Sequence, residues 1–175
     1  MDFALSDEQL MIQESAAGFL AKASDSAAVR AAMERDGYSG ELWCQIAGEL
    51  CWPALIVPEE HGGLGLGFVE QAILLEQMGR RLVGSPFFAS ACLAIPALLL
   101  SRNAELQARL LPELASGSLT ATLACSASSR AGHLLDQNVQ AVAEGNGLAS
   151  GWHLRGGGRR RRGRSADRRR PPAGR

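Results

Sequence analysis

LWCQIAGELCWPALIVPEEHGGLGLGFVEQAILLEQMGR, residues 42–80, sets the architecture, because two helical periods flank a turn that neither can run through. Leu42, Trp43, Ile46, Ala47 and Leu50 recur at i, i+1, i+4, i+5 and i+8, a broad apolar stripe on a helix that Ser39 can cap. Pro53 stops this helix, and residues 54–57 read as a short extended apolar run that Pro58 closes. Residues 59–67 are then loop, in which Gly62, Gly63, Gly65 and Gly67 permit positive φ or close packing. Helical period resumes from Phe68 through Ala72, Ile73, Leu75 and Glu76, with Glu76 and Arg80 paired on the outside. Gly84 is expected to end that helix.

Upstream, Ser6 and Gln9 form a capping box with Leu5 placed to staple onto Leu10, so a helix starts at Asp7. Leu10, Ile12, Ala16, Phe19, Leu20 and Ala23 give it one buried face. A weaker helix over about 26–36 ends at Gly37, and all three helices before Pro53 are expected to form core. Downstream, Pro86 sits where another helix needs its first residue, and Pro96 predicts a kink or two abutting helices within the apolar stretch 87–100. That stretch, apolar on nearly every side, should be central. Asn103 caps a further helix in which Leu106, Leu110, Leu111 and Leu114 face inward, ending near Ser116 and Gly117. About six helices thus occupy 7–116.

The period then changes from 3.6 to 2. Leu119, Ala121, Leu123 and Cys125 alternate with Thr120, Thr122, Ala124 and Ser126, as a half-buried strand requires. Residues 139–143 read as a second strand, and Glu144-Gly145-Asn146-Gly147 supplies a hairpin turn into 148–154. The expected fold is mainly α: an N-terminal helical domain over 1–117, the first strands of an incomplete β-barrel-like domain over 118–156, and a disordered Arg/Gly/Pro tail over 157–175.

Composition agrees with a helical body. Of 175 residues 46% are hydrophobic but only 5% aromatic, which favours close helix packing over an aromatic-rich sandwich. The zero formal net charge hides a split, since 155–175 carry ten Arg and one Asp while 1–154 are net acidic. Cys44, Cys51, Cys92 and Cys125 lie in apolar surroundings without metal-ligand spacing and are expected as buried thiols in a reducing compartment. The first residues, MDFALSDEQL, have neither basic n-region nor apolar h-region, and the 14 residues 87–100 fall short of the roughly 20 that span a bilayer. A cytoplasmic protein with no membrane partner and no metal is expected.

Three chemical readings fail on spacing. A phosphate cradle at Gly63-x-Gly65 would need glycine at 68, which is Phe68, and a βαβ unit that is missing. Glu59 and Glu60, adjacent in a glycine turn, read as solvated structural carboxylates rather than an acid/base pair. His61, His133 and His153 share no spacing, and Ser126 with His133 lacks a nucleophile elbow.

Residues 42–80 resemble the N-terminal domain of the acyl-CoA dehydrogenase family, which carries a helix, a PALxVPEExGG turn, a Gly-rich loop and a helix ending ExxGR. LSDEQ at 5–9, SPFFAS at 85–90 and RLLPELASG at 109–117 are similar to family segments in the same order. The resemblance implies FAD as cofactor, an acyl-CoA thioester as substrate, homo- or hetero-oligomers as assemblies, and α,β-dehydrogenation with FAD as hydride acceptor. It places flavin contacts at Leu123, Cys125 and Ser126, although Ala127 and Ser128 replace the family's Glu-Pro pair, and ordinary strand packing is the competing reading. No catalytic residue is assigned, since the family's base comes from beyond the point where the likeness stops.

The likeness ends just after Gly151-Trp152-His153-Leu154-Arg155-Gly156. Ten Arg without Lys could form a nucleic-acid-binding arm, but residues of GC-rich codons fit a frameshifted, truncated product, and a nucleic-acid partner is not the favoured expectation. Three functional readings stand open: a dehydrogenase remnant inactive alone, a non-catalytic subunit pairing with a full-length homologue, and a helical module binding nucleic acid through its tail.

Overall fold

The structure is a computed structural model that describes residues 4–34, 37–123, 139–144 and 147–152. It divides into two compact units, Met1–Leu123 and Ala124–Arg175.

The first unit is mainly helical, with six α-helices among the described residues. Helix α1, Asp7–Ala23, begins at the expected capping box: Gln9 N–H donates to Ser6 Oγ at 3.2 Å and Ser6 N–H to Gln9 Oε1 at 3.1 Å. The same Gln9 side chain donates through Nε2 to Glu70 Oε1 at 2.7 Å, and Glu70 Oε2 accepts from Gly67 N–H at 2.9 Å. One chain of hydrogen bonds therefore ties the N-terminus of α1 to that of α4, Phe68–Arg80. Ala16 and Leu20 are the buried residues of α1, whereas Leu10 is exposed.

Helix α2, Ser26–Met33, is capped by Asp25 and ends before the expected 36. It buries no residue, so it is not one of the core-forming helices. Its Ala28, Ala31 and Ala32 line an open cavity of about 210 Å³ with Tyr38 and Leu82. Helix α3, Gly40–Cys44, is capped by Ser39 as expected and widens into a π-helical turn over Gln45–Glu49.

Residues 54–57 are not extended. They follow a 3₁₀ turn, Trp52–Ala54, and every residue from 52 to 57 is buried. Coiling lets Trp52, Ala54, Leu55, Ile56 and Val57 all enter the core, where an extended run would turn alternate side chains outward. The backbone is satisfied by the loop that follows: Leu64, Gly65 and Leu66 N–H donate to the carbonyls of Ala54, Val57 and Leu55. Gly63 makes this return path possible, because a Cβ there would overlap the Val57 carbonyl. A second 3₁₀ turn, Glu59–His61, sits between the two halves.

Helix α4 ends at Arg80 rather than at Gly84, which instead marks where the backbone passes against Gly37. The Glu76–Arg80 pair forms on its exposed side at 2.6 Å. A π-helical segment, Phe88–Ala94, then runs into α5, Ile95–Leu100, and α6 spans Ala104–Ala115 with Asn103 as its cap. The 87–100 stretch is central only along Phe87, Ser90, Ala91, Ala94 and Ile95; Phe88 and Leu100 are exposed. Trp52 stands at the middle of the core, with ring centroids 5.9 Å from Phe19 and 6.4 Å from Phe87, both edge-to-face.

Of the four cysteines expected to be buried, Cys44 and Cys51 are exposed and Cys92 is intermediate; all three are free. Cys44 falls beside the buried Trp43, off the apolar stripe of its helix. Burial pushes the Cys92 thiol up to about 11. Cys125 lies outside the described residues.

In the second unit, β1, Val139–Glu144, pairs antiparallel with β2, Gly147–Trp152, from Val139 opposite Trp152 to Glu144 opposite Gly147. The expected turn at 144–147 falls at the end of this register.

Candidate functional site

The site begins with Pro96. Lacking an N–H, it cannot bond to any carbonyl in the preceding turn, and its ring crowds the backbone there. The chain widens ahead of it: Ile95 N–H reaches back five residues to the Ser90 carbonyl. In that register the carbonyl of Ala91 faces Pro96 and has no helical donor. Gln71 of α4 supplies one, its buried amide donating through Nε2 to the Ala91 carbonyl at 2.9 Å. The expectation of a kink or two abutting helices is met by a π-helical segment running directly into α5, with a side chain 20 residues upstream bonded at the junction.

One residue before Ala91, the side chain of Ser90 is fully buried. Its hydroxyl donates to the Ala121 carbonyl at 3.1 Å and accepts from Ala121 N–H at 3.0 Å. The two bonds satisfy both polar groups of a residue in the segment that leaves α6. Leu119 N–H bonds to the Glu113 carbonyl, and Gly117 has φ +72 with its carbonyl accepting from Trp43 Nε1 at 3.1 Å. A Cβ at Gly117 would overlap that of Ala47.

Residues 119–122 alternate between half-buried and exposed as a strand would, but they form no ladder among the described residues, and Leu123 is exposed. Of the three residues expected against a flavin, Leu123 ends the first unit with its apolar side chain 47% accessible. Cys125 and Ser126 lie outside the described residues, as do His133 and His153.

The glycine turn holds no catalytic arrangement. His61 Nε2 stands 3.6 Å from Glu60 Oε1, and Glu59 and Glu60 are exposed. Glu70 has its carboxyl held below the usual range, chiefly by the Gln9 amide and further by backbone N–H donors, against a smaller opposing effect of burial. That carboxylate is committed to tying α1 to α4. Among the described residues no three His, Cys, Asp or Glu side chains gather to hold a metal, and no helix is long and apolar enough to cross a membrane.

Residues 6–118 match the family model for the acyl-CoA dehydrogenase N-terminal domain. The chain belongs to the acyl-CoA dehydrogenase family. It is 41% identical over 118 residues to acyl-CoA dehydrogenase IpdE2 of Mycobacterium tuberculosis, covering 67% of this chain and 36% of that protein. It is 30% identical over 108 residues to the mitochondrial isovaleryl-CoA dehydrogenase of Pongo abelii, covering 61% of this chain and 25% of that one. The chain therefore spans about a third or less of the length of these curated relatives. Among solved structures, the ChsE4-ChsE5 complex of Mycobacterium tuberculosis superposes with TM-score 0.72 at 24% identity, over 86% of this chain and 40% of that one, which establishes likeness of fold. A structure titled Tcur3481-Tcur3483 steroid ACAD G363A variant gives TM-score 0.67 at 26% identity, over 82% and 39%. The family is one of oxidoreductases, and the segments quoted for the resemblance at 42–80, 85–90 and 109–117 all lie inside the matched region.

Sequence reasoning did not single out Ser90 or Gln71. The signal was present: each is a polar residue on the apolar face of a helix, and Ser90 interrupts the stretch 87–100. A buried polar side chain requires a partner, but only the folded chain says which one.

Proposed function

We propose that this chain is the N-terminal part of a flavin-dependent acyl-CoA dehydrogenase, contributing one wall of the active site and inactive alone. The supporting observation is that the family match runs to residue 118 and the segment after it leaves the helical body fixed at Ala121, with Leu123 exposed two residues on. An exposed apolar side chain at the end of a fixed segment suits the face of a planar ring. Cys125 and Ser126 would continue that contact, and residues 118–156 would begin the β-domain that follows the helical domain 1–117.

α,β-Dehydrogenation of an acyl thioester needs a carboxylate to take the α-proton and an acceptor for the β-hydride on the opposite side of the acyl chain. FAD, when bound, supplies the hydride acceptor. Glu70 is committed to the α1–α4 tie, Glu59 and Glu60 are exposed in a surface turn, and none of the three is assigned the α-proton. A steroid thioester is the substrate class favoured by the name of one structural neighbour, and the three free cysteines accord with a reducing, cytoplasmic setting.

Titrating the purified chain with FAD while following flavin fluorescence tests this reading. Saturable quenching, without bleaching when a steroid acyl-CoA is added, is expected. Absence of quenching would remove the flavin site, and bleaching would show that the chain carries its own base.

A second reading, a non-catalytic subunit pairing with a full-length homologue, draws on a cluster of exposed apolar side chains. Met11, Leu64 and Leu66 line a cavity of about 410 Å³ between α1 and the glycine loop, and Phe68 and Val69 follow in the chain. Co-purification with a full-length family member would favour it; a monomer in its presence would dismiss it.

A further inference from the structure

We infer that Ser90 is a positioning residue, whose hydroxyl sets the place of residues 121–123 and through them of Leu123 as a flavin contact; the inference rests on the flavin reading above. Three observations converge on it. Ser90 is fully buried in an otherwise apolar stretch, where a hydroxyl without partners would be costly. Its Oγ makes both bonds to a single residue, Ala121, donating to the carbonyl and accepting from the N–H. Those bonds hold Ala121 where the alternating segment 119–122 forms no ladder among the described residues.

The geometry of the helix matters as much as the hydroxyl. Ser90 lies in the widened turn that Pro96 imposes, and its carbonyl accepts from Ile95 N–H five residues on. Gln71 holds the neighbouring Ala91 carbonyl from the other side. Ser90 is thus set by α4 and α5 together, and a single hydroxyl transmits that position to the chain 31 residues later. Leu123 follows Ala121 by two residues and is exposed where Ala121 is half-buried.

The test compares Ser90→Ala and Ser90→Thr in the full chain by amide hydrogen exchange at Ala121 and by FAD affinity from fluorescence quenching. Ser90→Ala should speed exchange at Ala121 at least tenfold and weaken FAD binding at least tenfold, while the Trp43 indole N–H keeps its protection. Ser90→Thr, which retains the hydroxyl, should restore both. Unchanged exchange at Ala121 would overturn the latch. Faster exchange with unaltered FAD affinity would overturn the positioning role. If the wild-type chain binds no FAD, the flavin reading fails and the positioning role with it, an outcome recognisable without any variant. Should Ser90→Ala not fold, Ser90→Cys carries the same test, because a thiol is a poor donor and should lose protection at Ala121 where Thr keeps it.

Discussion

The turn at 52–67 and the exit segment at 119–123 are both irregular backbone, and they are held in opposite ways. In the turn, backbone bonds close within the segment itself: Leu64, Gly65 and Leu66 return to Ala54, Val57 and Leu55, and His61 and Gly63 return to Pro58. In the exit segment, Ala121 is held by the side chain of Ser90, 31 residues away. The first is built from local chemistry, prolines that stop helices and glycines that allow close approach. The second depends on the helical body having already packed. A local turn survives loss of a distant contact, whereas a long-range tie fails as soon as its far end moves.

The largest test of the contrast is Trp52→Ala. Trp52 is the side chain that joins the turn to the core, meeting Phe19 and Phe87, and its loss should cost about 3–5 kcal/mol in denaturant unfolding. A cost below about 1 kcal/mol would mean that the turn does not lean on the core. Next comes Gly63→Ala, where the added methyl overlaps the Val57 carbonyl; a loss of about 2–3 kcal/mol is expected, and neutrality would show that the loop can swing away.

Gln71→Met should cost about 2 kcal/mol, because it leaves the buried Ala91 carbonyl without a donor. Pro96→Ala restores a backbone N–H to that turn, so in its background the cost of Gln71→Met should fall by about half. Strict additivity of the two changes would refute the link between the proline and the glutamine.

The smallest effect concerns pH. The Glu70 carboxyl is held below its ordinary value in the folded chain, so its contribution is present at neutral pH and lost as pH falls through the acidic carboxylate range. Glu70→Gln should lower neutral stability slightly and flatten the acid limb of the stability profile by the same amount. An unchanged acid limb would show that the Gln9–Glu70 tie between the two helix starts is of no consequence.

The comparison also explains which features could be read from residues alone. Ser6, Ser39 and Asn103 each accept from the backbone three residues on, so the caps of α1, α3 and α6 follow from spacing. Residues 54–57 defeated the same reasoning, since a short apolar run looks the same whether it is extended or coiled, and only the returning loop decides. α2 was expected to form core with its neighbours, yet none of its residues is buried. The alternation at 119–122 was legible as period; its attachment to Ser90 was not.

The order of the helices, their caps, the glycine turn and the family resemblance were determined by the sequence, because each depends on residues within a few positions of one another. The rescue of the Ala91 carbonyl by Gln71 and the hold of Ser90 on Ala121 were decided by tertiary structure. Each satisfies a buried polar group across a long stretch of chain, and which partner will be near is a property of packing that no local pattern encodes.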